Sequence, residues 1–168
     1  VPALKGMIRS ALRLSSFQIA RQQAEALNAK TTDADAATLY GDALWGTGLF
    51  DEAETTYREA LERFPASARA RFGVARSLAT RGRLSEALTE CLTAAKASPE
   101  DPEILVLVAE LQERLFRYDE AARTYEDYVK ILPGRLRNDP EVASIKIRLL
   151  RSFRSEEHTS ELQSRFGI

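Results

Sequence analysis

Apolar and small residues recur along this chain at the spacing of amphipathic helices, with short interruptions between the runs. One run covers residues 34–46 and stops before Gly48, and a second covers residues 51–64. The second run carries one apolar stripe, formed by Ala53, Tyr57, Ala60, Leu61 and Phe64. Apolar residues three or four positions apart share one face of an α-helix. The pattern therefore predicts two helices joined by a turn at Gly48.

The same two-helix pattern returns every 34 residues. Five columns keep this step: Phe50, Leu84 and Tyr118; Glu52, Glu86 and Glu120; Ala53, Ala87 and Ala121; Tyr57, Cys91 and Tyr125; and Pro65, Pro99 and Pro133. Such agreement over three copies indicates a true internal repeat. We assign the copies to residues 34–67, 68–101 and 102–135. Each proline follows a second helix, where its missing N–H helps to end the helix.

Polar residues predict where the helices begin. Asp51, Ser85 and Asp119 share the column that opens the second run of each copy, immediately before the predicted second helix. Their short side chains are expected to accept hydrogen bonds from the first turn. Asp101 precedes Pro102, a pair that predicts a cap followed by proline at the first helical position.

This pattern resembles the tetratricopeptide repeat, a helix–turn–helix unit of 34 residues. The family's small column in the first helix is Gly41, Ala75 and Ala109 here, and its early alanine, aromatic and proline columns are those given above. Its early tryptophan column departs from the family pattern and holds Ala37, Arg71 and Leu105. The resemblance implies an all-α fold, a right-handed α–α superhelix of stacked hairpins. It also implies close helix crossings at the alanine column, including Ala87.

Partial units flank the three copies. In residues 1–33, Phe17, Ala20, Ala24 and Leu27 repeat the spacing of Phe50, Ala53, Tyr57 and Ala60 with an offset of 33. We interpret this segment as a degenerate N-terminal repeat that caps the array. Residues 136–153 begin with another Asp-Pro pair and predict a C-terminal capping helix. Terminal units of this kind are expected because an end repeat otherwise exposes an apolar face.

Residues 154–168 differ in character from the rest of the chain. Residues 154–164 are similar, residue for residue, to the in-frame translation of a widely used sequencing-library adapter. We therefore expect a non-native tail, with the natural chain leaving this sequence near Phe153. The alternative is a genuine polar tail, which would keep His158 in the protein.

Composition excludes several kinds of function. The 168 residues carry 24 Lys and Arg against 25 Asp and Glu, a net charge of −1, whereas nucleic-acid binders usually show a basic excess. There is one histidine and one cysteine, so we expect no metal site, no cofactor and no catalytic constellation. Cys91 replaces an aromatic packing residue and is expected to be a buried, inert thiol. No apolar run is long enough to predict a membrane helix, and we expect no membrane partner. The compartment, the oligomeric state and whether Val1 is the true start stay open.

The family resemblance implies that the first helices line a ligand-binding groove. Counted within the copies, the groove positions hold Asp35, Thr38, Leu39, Asp42 and Trp45, then Arg69, Phe72 and Arg76, then Glu103, Val106 and Glu110. The resulting surface reads acidic, basic, acidic. Arg69 and Arg76 beside Phe72 could hold a peptide carboxylate and an apolar side chain. Alternatively, the two arginines pair with the acidic residues of the adjacent copies. Trp45 is either a groove contact or packing between copies.

We expect a non-catalytic scaffold or adaptor that binds a peptide or protein partner in this groove. The Lys and Asn clamp by which chaperone-binding members hold a C-terminal carboxylate is absent, since its columns contain Thr38, Leu39 and Asp42, then Phe72, Gly73 and Arg76. The alternative is the docking or regulatory segment of a larger enzyme. Residues 145–153 are similar to linkers that join bacterial repeat arrays to a retropepsin-like aspartic protease domain.

Overall fold

The computed structural model describes residues 2–31 and 33–132, which form eight α-helices and, within these ranges, no strand. The helices are α1 (Pro2–Arg13), α2 (Phe17–Asn28), α3 (Ala34–Gly46), α4 (Phe50–Arg63), α5 (Ala68–Thr80), α6 (Leu84–Ala97), α7 (Pro102–Arg114) and α8 (Tyr118–Ile131). The chain divides between Ala97 and Ser98 into two compact units. The expected all-α fold is confirmed. The proposed capping helix at 136–153 and the tail at 154–168 lie outside the described residues.

The first unit contains three helical hairpins, α1–α2, α3–α4 and α5–α6. Successive hairpins stack, because α2 packs on α3 and α4 packs on α5. The first helices also contact one another in sequence, α1 with α3 and α3 with α5. The face formed by these first helices is the part of the fold that carries the candidate site. The second unit contains the hairpin α7–α8.

Every first helix after α1 begins with a side-chain cap. Asp33 accepts a hydrogen bond from the backbone N–H of Asp35, and Ser67 accepts one from Ala70. The predicted cap at Asp101 is confirmed, since its carboxylate accepts from the first turn of α7 and Pro102 opens that helix. These oxygen atoms satisfy N–H groups that a helix start leaves without intrahelical partners.

The predicted caps of the second helices are wrong. Helices α4, α6 and α8 begin one residue before this predicted cap column, so Asp51, Ser85 and Asp119 lie inside the first turn. No side-chain cap bond forms at the residues that precede α4 and α8. The cause is a tight turn, in which the residue two after the first helix adopts positive φ and the next N–H bonds back to that helix. The chain then enters the second helix directly.

The column with positive φ contains Gly48 (83°), Gly82 (74°), Phe116 (61°) and Ser15 (55°). Glycine adopts this left-handed conformation without steric cost, whereas a bulky side chain such as that of Phe116 does not. The same turn therefore joins the two helices within each of the four described hairpins, including the hairpin in the degenerate segment.

Small residues bring the helices close together in the core. Ala53, Ala87 and Ala121 are fully buried, as expected for close crossings. The core of the first stacked pair joins Ala20, Ala24 and Leu27 of α2 to Ala36, Leu39 and Ala43 of α3. Cys91 is buried, as predicted. Of the helices described, none combines the length and apolar character that crossing a bilayer requires.

Candidate functional site

Asp42 on α3 is the centre of the candidate site, although only 9% of the residue is exposed. The Tyr57 hydroxyl of α4 donates a hydrogen bond to Asp42 Oδ1 at 2.6 Å. Arg76 Nη2 donates to the same oxygen at 3.0 Å, and Arg69 Nη2 donates to Oδ2 at 3.2 Å. A buried carboxylate is stable only when it is paired and hydrogen-bonded, and here both oxygens have partners.

The Arg76 guanidinium connects this carboxylate to an aromatic surface. Its Nη2 also donates to the Tyr57 hydroxyl at 2.7 Å. Its Cζ lies 4.4 Å from the ring centroid of Trp45 and 5.5 Å from that of Phe72. About a quarter (25%) of the Arg76 side chain is exposed, and its buried Nε donates to no acceptor among the described residues.

Arg69 and Trp45 extend the aromatic surface. The Arg69 Cζ lies 5.1 Å from the Phe72 ring centroid, and 37% of its side chain is exposed. The half-buried Trp45 makes an edge-to-face contact with Phe50, with 4.7 Å between the ring centroids. We call Asp42 with Trp45, Tyr57, Arg69, Phe72 and Arg76 the Asp42 cluster. Its accessible part consists of the exposed portions of the Arg69 and Arg76 side chains and of the half-buried Trp45, while Tyr57 and Phe72 are buried. Such a surface is suited to carboxylates and apolar side chains.

Two glycines allow Tyr57 to reach Asp42. A Cβ atom at Gly41 or at Gly73 would lie 2.5 Å from the Tyr57 ring, closer than side chains approach one another. The ring therefore lies between α3 and α5 where both helices lack a side chain. Burial is the main cause that raises the pKa of Tyr57 well above its ordinary value, and the negative charge of Asp42 adds to it. The hydroxyl therefore remains a donor at physiological pH.

Asp35, the other predicted acidic residue of α3, pairs with α1. Arg9 donates to both oxygens of its carboxylate, at 2.6 and 2.7 Å. Lys5 contacts Asp35 at 3.1 Å and also bonds to Asp33. The hydrogen bond between Lys5 and Asp33 raises the pKa of Lys5 and lowers that of Asp33. Within the first unit, the acidic positions of α3 thus lie between basic residues of α1 and α5.

Lys5 and Arg9 were not predicted from the sequence. An offset of 33 places them in the columns of Thr38 and Asp42, which are two of the predicted groove columns. The signal was available once residues 1–33 were aligned as a repeat. Because only the three regular copies were counted, these two cations were left out of the predicted groove.

The structure does not bring all predicted groove residues to the surface. Thr38 is 2% exposed and donates to the Asp35 carbonyl oxygen, and Leu39 is 4% exposed in the core against α2. We leave both out of the proposed binding surface. Phe72 is also buried, with 5% exposed, and belongs to the Asp42 cluster only through its contacts with Arg69 and Arg76. On α7, in the second unit, Glu103 is exposed, while Val106 and Glu110 are half-buried. Their part in binding stays a prediction.

The pairing alternative for the two arginines is observed at Asp42, which both of them contact. Pairing with Asp35 does not occur, because that carboxylate bonds to α1. Over the ranges 2–31 and 33–132, no three or more His, Cys, Asp or Glu residues come together in a way that could hold a metal ion. The chemistry available in the Asp42 cluster is that of recognition, through charge, hydrogen bonds and aromatic faces.

Solved structures with this fold include several repeat proteins. A thermophilic TPR protein of Thermus thermophilus aligns with a TM-score of 0.73 and 21% identity, over 90% of this chain and 80% of that one. MamA of AMB-1 aligns with a TM-score of 0.68 and 16% identity, over 98% and 94%. The TPR2B domain of yeast Sti1, in a complex with pHsp70, gives 0.64 and 21%, over 74% and 99%. These identities show the fold, and none of these three structures supports the protease-docking alternative.

Sequence comparison identifies the family. Curated proteins give no match by sequence. The tetratricopeptide repeat family matches residues 6–57 and 39–102. The matched residues make up more than half of the 168-residue chain, and the helices they form are stacked hairpins. The chain therefore belongs to the tetratricopeptide repeat family.

Proposed function

We propose that this chain is a protein-interaction module that holds a peptide or protein partner against the first-helix face of α3 and α5. Membership of a repeat family whose members present such faces supports this function, as does the likeness to a domain solved in a complex with pHsp70. That ligand is not carried over, because the clamp columns contain different residues in this chain. The partner has to be argued from the Asp42 cluster itself.

The observation that carries the proposal is the stacked guanidinium of Arg76. It lies 4.4 Å from the Trp45 ring centroid and keeps a quarter (25%) of its side chain exposed. Asp42 and Tyr57 fix its orientation through hydrogen bonds of 3.0 and 2.7 Å. A fixed, flat cation on an aromatic ring binds a carboxylate at its edge and an apolar group beside the ring at little cost in side-chain entropy. The proposed ligand is therefore a peptide with a carboxylate and a neighbouring apolar side chain.

Selection from a displayed peptide library, followed by fluorescence polarisation with the selected peptide, tests the proposal. Arg76→Lys keeps the positive charge beside Asp42 but removes the planar group that stacks on Trp45. We expect this variant to weaken binding at least about tenfold, equivalent to about 1.4 kcal/mol.

Arg63→Lys is the matched control. Arg63 lies on α4, is exposed, and places its Cζ 5.4 Å from the Phe64 ring centroid, so the same change removes a similar stacking contact away from the proposed face. It should leave the affinity unchanged. Equal affinities for the wild type, the Arg76 variant and a Trp45→Ala variant would contradict the assignment, provided that thermal melts show all three folded.

A further inference from the structure

Within the first unit, each first helix presents a stripe of residues to the hairpin before it. On α3 this stripe is Ala36, Tyr40 and Ala43, and on α5 it is Ala70, Val74 and Ser77. All are buried except Tyr40, which is half-buried and packs against the core shared with α2. Helix α2 packs on α3, and α4 packs on α5. Ala36 and Ala43 share an apolar cluster with α2, and Ala70 shares one with Ala60 of α4, so the stripe lies at the junction with the preceding second helix.

The same positions on α1 are open. Ala3, Met7 and Ser10 occupy the columns of this stripe, and all three are exposed, Met7 by 57%. Leu14, directly after the last residue of the helix, is 77% exposed. None of these residues is charged, whereas a terminal capping repeat needs a polar outer face. Helix α1 thus carries the contact stripe of an internal repeat.

Gly6 shows what the open stripe fits. It shares a column with Gly73, where the missing Cβ makes room for the Tyr57 ring of the preceding hairpin. Around Gly6, nothing lies within 4 Å of the position a Cβ would take. Where α2 packs on α3, the same column of the first helix holds Leu39. The preceding hairpin contributes the small Ala24 of α2 to the same apolar cluster. At each of these two junctions a large residue of one hairpin thus faces a small residue of the other. By the same rule, an aromatic ring is the expected neighbour of Gly6.

We propose that the α1 stripe seats the second helix of a further hairpin of the same repeat type, which precedes α1 in the same polypeptide and places an aromatic ring against Gly6. The contact continues the series already formed by α2 on α3 and by α4 on α5. This inference is independent of the peptide-binding proposal, which concerns the first-helix face.

A fusion protein tests the seat directly. A second copy of residues 34–67, joined ahead of Val1, is in register because residue 67 precedes Ala68, which shares its repeat column with Val1. Its Tyr57 equivalent would then meet Gly6. In the unfused chain, Gly6→Ala should raise the melting temperature by about 1–3 °C, because alanine favours the helix and the site is open. In the fusion the same change should lower the melting temperature, because the new Cβ meets the ring.

Gly73→Ala is the control, and it should lower the melting temperature of both proteins. The second readout is Met7, the only methionine in the sequence. Its oxidation by hydrogen peroxide, followed by peptide mass spectrometry, should be at least about fivefold slower in the fusion because burial limits access of the oxidant.

Two results would overturn the proposal. One is a Gly6→Ala change that raises the melting temperature equally in both proteins while Met7 oxidises at the same rate in each. The other is protection of Met7 in the unfused chain that increases with protein concentration, which would assign the stripe to a second copy of the chain.

Discussion

Replacing Tyr57 with phenylalanine probes the Asp42 cluster with the smallest change in shape. The ring would keep its place between Gly41 and Gly73, and only the hydroxyl would be lost. That hydroxyl donates to Asp42 Oδ1 at 2.6 Å and accepts from Arg76 Nη2 at 2.7 Å. The variant therefore reports the contribution of these two bonds and not that of the apolar packing.

The expected loss follows from the partners that remain. Hydrogen bonds to charged groups contribute about 1.5–3 kcal/mol each. Asp42 keeps both arginines in the variant, so its carboxylate is not left without donors. We therefore expect Tyr57→Phe to lower the free energy of unfolding by about 2 kcal/mol, and the melting temperature by about 4–8 °C. Urea titrations and thermal melts followed by circular dichroism measure both quantities.

The same variant should change the response to alkaline pH. Burial, followed by the charge of Asp42, raises the pKa of Tyr57 in the folded state, while in the unfolded chain a tyrosine titrates near pH 10. Above that pH the unfolded chain releases a proton that the folded state retains. Stability is therefore complete below about pH 10 and falls as the pH rises towards the folded pKa. The phenylalanine variant should lose this part of the alkaline decline.

Tyr125→Phe is the matched control. Tyr125 occupies the same repeat column and donates to Glu113 Oε2 at 2.8 Å, but that glutamate is half-buried, whereas Asp42 is buried. Water can replace the lost donor more easily at Glu113, so we expect a smaller destabilisation there. Equal losses in the two variants, or an unchanged alkaline decline in Tyr57→Phe, would refute the reasoning.

Three further changes test the packing and the helix start. Gly73→Ala should lower the free energy of unfolding by about 1–2 kcal/mol in urea titration, because overpacking against Tyr57 outweighs the helix preference of alanine. Ala87→Leu should cost about 1–3 kcal/mol at a fully buried crossing, and a melting temperature within about 1 °C of the wild type would argue against it. Asp33→Ala should cost about 1 kcal/mol as a lost cap. Because Lys5 and then the N–H of Asp35 lower the pKa of Asp33, its ionised form stabilises the fold above about pH 4. Acid titration of the alanine variant should therefore show a shallower loss of stability below that pH.

The repeat columns allowed the helix pairs to be predicted because each column has one packing role in every copy. Alanine at 53, 87 and 121 marks buried crossings, and the predicted run at 34–46 coincides with α3. Helix starts were less predictable. The positive-φ turn closes with backbone hydrogen bonds, and the second helix begins before the polar residue in the expected cap column. A polar residue in that column therefore does not indicate a cap.

The charged residues of the candidate site could be predicted from the sequence, but the burial of its other residues could not. Column counting placed Asp42, Arg69 and Arg76 on the first helices, and the structure joins them. It did not indicate that Thr38 and Leu39 lie in the core, because position in a repeat gives a helix face while burial depends on the neighbouring hairpin.

Size matching at the hairpin junctions explains why the Asp42 cluster forms where it does. At the first junction Ala24 and Leu39 share one apolar cluster, and the same columns at the second junction hold Tyr57 and Gly73. Exchanging the small and the large partner moves an aromatic ring, with its hydroxyl, between α3 and α5. The hydroxyl then reaches Asp42, and Arg69 and Arg76 of α5 bond to the same carboxylate. The exchange of a small for a large residue in one core column thus places the Tyr57 hydroxyl beside Asp42. The two side chains together hold Arg76 against Trp45 before any partner binds.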